Sequence, residues 1–191
     1  MNAEIIAIDT PTLREDQLTL ALWMFLATVT MLFAAFTSAY IVRRSGTDWR
    51  QLALPSILWM NTGVLGLSSI AVEFAHRQGA GGRWRASTAA LLIAFALGIA
   101  FLAGQLAAWR QLRAAGVYLP TNPHSSFFFM MTGAHAVHIV AALAVLAWGA
   151  LVTHRAARRP RGWSARMSLC RTFWHYLGGV WLFLFALVSL Y

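Results

Sequence analysis

Apolar side chains run almost unbroken through five stretches of this chain, near residues 18 to 42, 54 to 76, 87 to 109, 125 to 152 and 168 to 190, and polar residues gather in the gaps between them. A helix needs about 20 residues to cross roughly 30 Å of hydrocarbon, so each stretch is long enough to span a bilayer once. An open sheet edge cannot satisfy its backbone groups in lipid, so the spans are helical. The pattern predicts an all-α, polytopic membrane protein: a bundle of five transmembrane helices forming one domain over residues 17 to 191, after a polar segment at 1 to 16. The connections at 43 to 53, 77 to 86, 110 to 124 and 153 to 167 are short and marked by Gly, Pro and Arg, which leaves no room for a soluble domain. The first sixteen residues carry Glu4, Asp9, Glu15 and Asp16 and no basic n-region. The apolar run that follows is too long for a signal-peptide core and reads as a retained first span.

Composition strengthens this picture. Of 191 residues, 59% are hydrophobic and 11% charged, more apolar surface than a soluble domain of this size could hide from water. The net charge of +9 comes from 15 Arg with no Lys. In a soluble chain it would point to nucleic acid, but these Arg residues sit at the ends of spans, where positive charge orients helices, and a nucleic-acid partner is excluded. Arg14, Arg77, Arg83, Arg85, Arg155, Arg158, Arg159, Arg161, Arg166 and Arg171 lie on one side, against Arg43, Arg44, Arg50, Arg110 and Arg113 on the other. The positive-inside rule then places the N-terminus in the cytoplasm and the C-terminus outside, with Trp49 and Tyr191 at the outer headgroup level. The single cysteine, Cys170, rules out an internal disulfide, a zinc site of several thiolates and the double-Cys signal for covalent haem. No internal repeat of the transporter type is visible, and five spans do not divide into equal halves.

Polar side chains at membrane depth need a partner or a cavity. On the second span Asn61, Leu65, Ser68, Ser69, Val72 and His76 fall within one arc of about 100°, a packing face that hydrogen-bonds between helices. Glu73 lies one turn from the end of that span and is expected to pair with Arg77. The third span repeats small residues at Ala96, Ala100, Gly104 and Ala108, a seam along which another helix could approach closely. Gln105 beside it would cost several kcal/mol if left unpaired in hydrocarbon, so it is expected to bond to a neighbouring helix. On the fourth span Ser125, Phe128, Met131, Thr132, His135, His138 and Ala142 share a face. The fifth adds His175, with Arg171 and Gly178 on the same side. Three intramembrane imidazoles allow two readings: helix-to-helix hydrogen bonds, or axial ligation of a haem b by His175 and one of His135 or His138. Paired carboxylates, a nucleophile with its base, and Gly-rich phosphate loops are absent, so catalysis by this chain alone is not expected.

The stretch SSFFFMMTGAHAVHI, Ser125 to Ile139, resembles subunit III of cytochrome c oxidase and related haem-copper oxidases, which pairs Phe residues, then Thr-Gly, then two His three apart. TFWHYLGGVWLFLF, Thr172 to Phe185, is similar to the family's closing signature of Trp-His followed by Val-Trp-Leu-Phe. Supporting likeness runs through Phe25 to Arg44, Asn61 to Arg77 and Leu97 to Trp109, so it covers nearly the whole chain after the polar N-terminus. Five spans match the shorter bacterial form of the family, which lacks the first two helices of the seven-helix form.

The resemblance implies an accessory subunit of the bacterial inner membrane that binds no redox centre, performs no chemistry and has no catalytic or metal-binding residues of its own. Haem and copper are then expected in the partner, catalytic subunit I, with subunit II and membrane phospholipid as further partners. In that role the subunit stabilises the catalytic subunit and keeps proton uptake fast. Asn61, Ser69, Gln105, Thr132, His135, His138, Trp174 and His175 are the expected structural determinants of the bundle and its lipid cleft. The chain departs from the family pattern where carboxylates are usual: Thr28 and Val29, Ala108, Ser168 and Gly178 stand in their places. That leaves His135, His138 and His175 without acidic partners and points to a divergent branch. Other readings stay open at this point: an accessory subunit of a nitric oxide reductase, a stand-alone b-type cytochrome, and a membrane transporter.

Overall fold

The computed structural model describes residues 10–155 and 163–190, with side chains from residue 16 onward except that of Arg155. The polar residues 1 to 9, Arg158, Arg159, Arg161 and Tyr191, and the side chains of Arg14 and Arg155, which entered the orientation argument, lie outside the described set. Five helices make up the fold: α1 (Thr10–Arg44), α2 (Ile57–Ala80), α3 (Trp84–Ala114), α4 (Pro123–Arg155) and α5 (Trp163–Leu190). All five are long and apolar enough to cross a membrane.

Local chemistry sets where several of them begin and end. α4 opens on the sequence Asn122-Pro123-His124-Ser125, in which the Asn122 side-chain oxygen accepts from the Ser125 backbone N–H at 3.0 Å while the Ser125 hydroxyl accepts from the Asn122 N–H at 3.2 Å. This is a reciprocal capping box with Pro at the first helical position, where its missing N–H costs nothing. α2 and α3 both end in a left-handed glycine, Gly82 at φ 74° and Gly116 at φ 77°. The following N–H groups, of Arg83 and Val117, reach back to the carbonyls of Gln78 and Leu112 at 2.9 Å, which closes each helix in a Schellman turn.

The helices α2, α3, α4 and α5 form a closed ring, each packed on the next and α5 returning to α2, while α1 lies outside it against α4 and α5 only. The ring has a continuous core: Leu58, Leu91, Phe101, Met131, Trp174 and Trp181 are all buried within it. In contrast, the described part of α1 buries Leu26, Val29, Phe33 and Tyr40 and leaves Leu20, Trp23, Met24, Met31 and Val42 exposed. Such a helix, apolar all round, is stable in lipid and would not be in water.

Candidate functional site

Most polar groups at membrane depth are used to hold helices together. The Asn61 amide donates to the Phe101 carbonyl at 3.0 Å, Ser68 to Ala94 at 2.9 Å and Ser87 to Ala75 at 2.9 Å, three bonds spaced along the α2–α3 contact. Each takes the spare lone pair of a carbonyl already engaged in its own helix. Three tryptophans supply further bonds through the indole N–H: Trp181 to Thr62 at 3.0 Å (α5 to α2), Trp109 to Thr132 at 3.2 Å (α3 to α4) and Trp163 to Thr153 at 3.1 Å (α5 to α4). Bonds of this kind contribute about 0.6 to 1 kcal/mol apiece in a membrane bundle.

The small-residue row expected on α3 is used only in part within this chain. Ala96 and Ala100 are exposed, Gly104 is half-buried, and Ala108 is buried. Residues four apart advance about 40° beyond a full turn, so three such steps sweep about 120° and carry the row off the contact face. Close approaches fall at Gly104 of that row, where a Cβ would strike the Asn61 amide, and at Gly98 outside it, where a Cβ would strike Leu143 of α4 and Trp174 of α5. Gln105 also differs from expectation. It is buried, and neither amide atom has a hydrogen-bond partner among the described residues. The buried indole N–H of Trp174 is likewise unpartnered, although its ring fills the space beside Gly98.

The imidazoles are placed apart. His135 is fully buried at the centre of the ring, edge-on to Phe33 and Phe101 and 5.4 Å from Trp181 between ring centroids, and neither nitrogen has a partner among the described residues. His138 turns toward α1, against Phe25 and Phe33, and its Nδ1 donates to the Ala134 carbonyl at 2.7 Å. His175 stands on the α2 side of α5 with its Nε2 3.9 Å from the Glu73 carboxylate. His138 thus faces α1, whereas His175 faces α2. Among the described residues no three His, Cys, Asp or Glu side chains gather to hold a metal ion.

Glu73 meets one expectation and corrects another. It pairs with Arg77 at 3.3 Å as predicted, but its second oxygen reaches Arg171 of α5 at 3.4 Å and His175 beyond it, so His175 does have an acidic neighbour. Arg171 also lies 3.4 Å from His76 Nδ1. Sequence reasoning treated Glu73 within its own helix and missed that α5 approaches there. His124, a further polar core residue, was also missed. It stacks on Trp49 with ring centroids 4.9 Å apart, and its Nδ1 accepts from the Leu52 N–H at 3.0 Å. The proton therefore sits on Nε2, facing the Tyr40 hydroxyl at 3.4 Å. The positions where family carboxylates are usual are filled by uncharged groups: Val29 and Ala108 are buried, Ser168 is half-buried, and Gly178 lies beside the half-buried Ser69.

Between α1 and α5 lies a cleft of about 770 Å³ with walls that include Thr30, Phe33, Thr37, Tyr176, Val180 and Phe183. Its apolar lining is crossed by one polar link, in which the hydroxyls of Thr30 and Tyr176 meet at 2.8 Å.

Comparison with known proteins agrees with this architecture. The chain matches the family model described as cytochrome c oxidase subunit III over residues 3–191. It is 30% identical to cytochrome bo(3) ubiquinol oxidase subunit 3 of Pseudomonas putida, over 90% of this chain and 84% of that one. It is 31% identical to the subunit of the same name from Pseudomonas aeruginosa, over 88% and 82% respectively. Cytochrome c oxidase subunit 3 of Thermostichus vulcanus is 27% identical over 96% of this chain and 92% of that one. With five membrane-length helices, polar groups spent on binding helix to helix, and a match over almost its full length, the chain belongs to the cytochrome c oxidase subunit III family.

Proposed function

We propose that this protein packs beside the catalytic subunit of a haem-copper oxidase, steadies it during turnover and keeps proton uptake to it fast. The family assignment makes the chain an accessory, non-catalytic subunit of such a complex and a multi-pass protein of the bacterial inner membrane. One observation carries the finer reading: buried polar side chains bond one helix to another at several levels of the bundle, as at Asn61, Ser68 and Trp181. Among the described residues no acid, base and nucleophile are assembled for catalysis. In this reading haem and copper reside in subunit I, subunit II completes the complex, and the arginine-rich end faces the cytoplasm. Asn61, Ser69, Gln105, Thr132, His135, His138, Trp174 and His175 keep structural roles, and the α1–α5 cleft accepts phospholipid chains. The relatives above are oxidase subunits by name, which favours oxygen over nitric oxide as the complex's substrate.

Mild-detergent capture of the tagged protein, with haem spectroscopy on what accompanies it, tests the proposal. A haem-copper subunit in the captured complex is the expected result, together with an oxidase that loses stability or stops turning over when this chain is deleted. Capture of the chain without any haem protein, with oxidase activity intact in the deletion strain, would contradict it.

A further inference from the structure

The cluster of Glu73, His76, Arg171 and His175 sits where its surroundings do not match its chemistry. α5 has 28 residues, about 42 Å at roughly 1.5 Å per residue, so hydrocarbon about 30 Å thick centred on it begins about 6 Å from either end. Arg171, eight residues in from Trp163, is then about 6 Å inside the hydrocarbon, and His175 about 12 Å. Yet these side chains are not enclosed by the bundle: those of Arg171 and Glu73 are 33% exposed and that of His175 43%. Ionisable groups at such depth are costly against lipid and characteristically face protein or a polar cavity. One carboxylate here also serves too many partners. Glu73 is shared by Arg77, Arg171 and His175, so with neutral imidazoles the group still carries one uncompensated positive charge. A phospholipid phosphate lies at the headgroup level and can meet Arg77, but it does not reach His175. Two turns along α2 from Glu73, a Cβ at Gly66 would meet nothing within 4 Å, and small residues in membrane helices allow a second backbone to approach closely.

We propose that the outer α2–α5 face is the surface on which the catalytic subunit docks, through a transmembrane helix of that subunit that places a carboxylate at the depth of Arg171 and His175. The assignment rests on the accessory-subunit reading above and specifies which face serves it. The incoming carboxylate neutralises the excess cation, covers His175 and shields the cluster from lipid, while the apolar flank of the same helix packs over Ile70 and Leu182, which are 66% and 57% exposed. The cluster then acts as a key: an apolar helix without the acid would leave a buried charge unpaired, and the complex would be discriminated against by that penalty.

The test is photo-cross-linking in the intact complex in native membranes. A photoreactive phenylalanine analogue is placed at Ile70 or Leu182, and for comparison at Met31 on α1 or Val137 on α4, which are 73% and 69% exposed. Expected are adducts to the catalytic subunit from Ile70 and Leu182 and not from the other two, together with loss of catalytic-subunit co-purification in Arg171→Gln while helix content and melting of the isolated chain hold. Catalytic-subunit adducts from Met31 or Val137 alone, or only phospholipid adducts from Ile70 and Leu182, would overturn the face assignment and leave the accessory-subunit reading standing. Failure of the unmodified chain to co-purify with any haem-copper subunit would overturn both.

Discussion

In the ring of α2 to α5, every helix is tied to both its neighbours by side chains aimed across the interface, whereas α1 is attached along one flank by aromatic contacts, by Tyr176 of α5 bonding to Thr30 and the Leu26 carbonyl, and by Tyr40 meeting His124 of α4. The two regions have similar hydropathy and both are long enough to span a membrane, so the difference does not come from how strongly each prefers lipid. It comes from what the lipid cannot supply. Lipid chains are as apolar as leucine, so burying more leucine gains little; association depends on close packing at glycines and on hydrogen bonds whose alternative is an unsatisfied group. The ring has Gly98 and Gly104 set against large or polar neighbours and has Asn61, Ser68 and Ser87 at the interface. The polar residues of α1 mostly bond back along their own helix, as Thr28 does to Met24 and Thr37 to Phe33. A ring of four helices with α1 attached on one flank and an open cleft between α1 and α5 is the result.

Substitutions that strike only one region test this contrast. Trp181→Ala removes a buried indole and its bond to Thr62 from the centre of the ring, and should cost about 3 to 5 kcal/mol; Trp23→Ala on α1, where the ring is 59% exposed, should leave thermal melting in detergent unchanged. A comparable loss in both would erase the distinction. Gly104→Val drives a side chain into Asn61 and should destabilise by about 1 to 3 kcal/mol, read as a lower melting temperature, while Ala100→Val on the exposed side of the same helix should be neutral. Tyr176→Phe deletes the hydroxyl that meets Thr30 and the Leu26 carbonyl. Its cost of about 1 kcal/mol should fall on α1 alone: a cysteine introduced at Phe33 should react faster with a thiol reagent while the melting of the ring stays put.

The smallest effect is expected at the α1–α2 connection. Asp48, in the loop, is paired with Arg43, and the guanidinium holds its carboxyl below the usual carboxylate value. A depressed carboxylate contributes above its unfolded value and loses that contribution as pH falls through the folded one. Hydrogen-exchange protection in residues 45 to 49, measured relative to the intrinsic rate at each pH, should therefore fall on acidification below the ordinary carboxylate range and stay level as the pH is raised. Because both groups are exposed, overall melting should not follow.

The five spans were legible in the sequence because length and unbroken apolarity are properties of one segment alone. The bonding face of α2 was legible for the same reason: Asn61 and Ser68 are polar where a lipid-facing helix gains nothing from polarity, and both turned out to donate to α3. What failed depends on a second segment. The row at Ala96 and Ala100 has the composition of a seam but points outward from this chain's own bundle. Glu73 was assigned its local partner Arg77, while Arg171 and His175, nearly 100 residues away, share it. The looser attachment of α1 left no mark in its composition, because a membrane helix that is apolar all round does not disclose which side is packed. The capping box at Asn122 and Ser125 was readable in principle from Asn-Pro-x-Ser and was overlooked.

The most direct test of the central claim, that this chain spends polar side chains such as Asn61, Ser68 and Trp181 on joining its helices and leaves electron transfer to a neighbouring subunit, is an absorption spectrum with metal analysis of the purified chain by itself. The account predicts no Soret band and no stoichiometric iron or copper, with haem appearing only when the catalytic subunit is present. A Soret band from this polypeptide alone that disappears in His135→Ala or His175→Ala would contradict it.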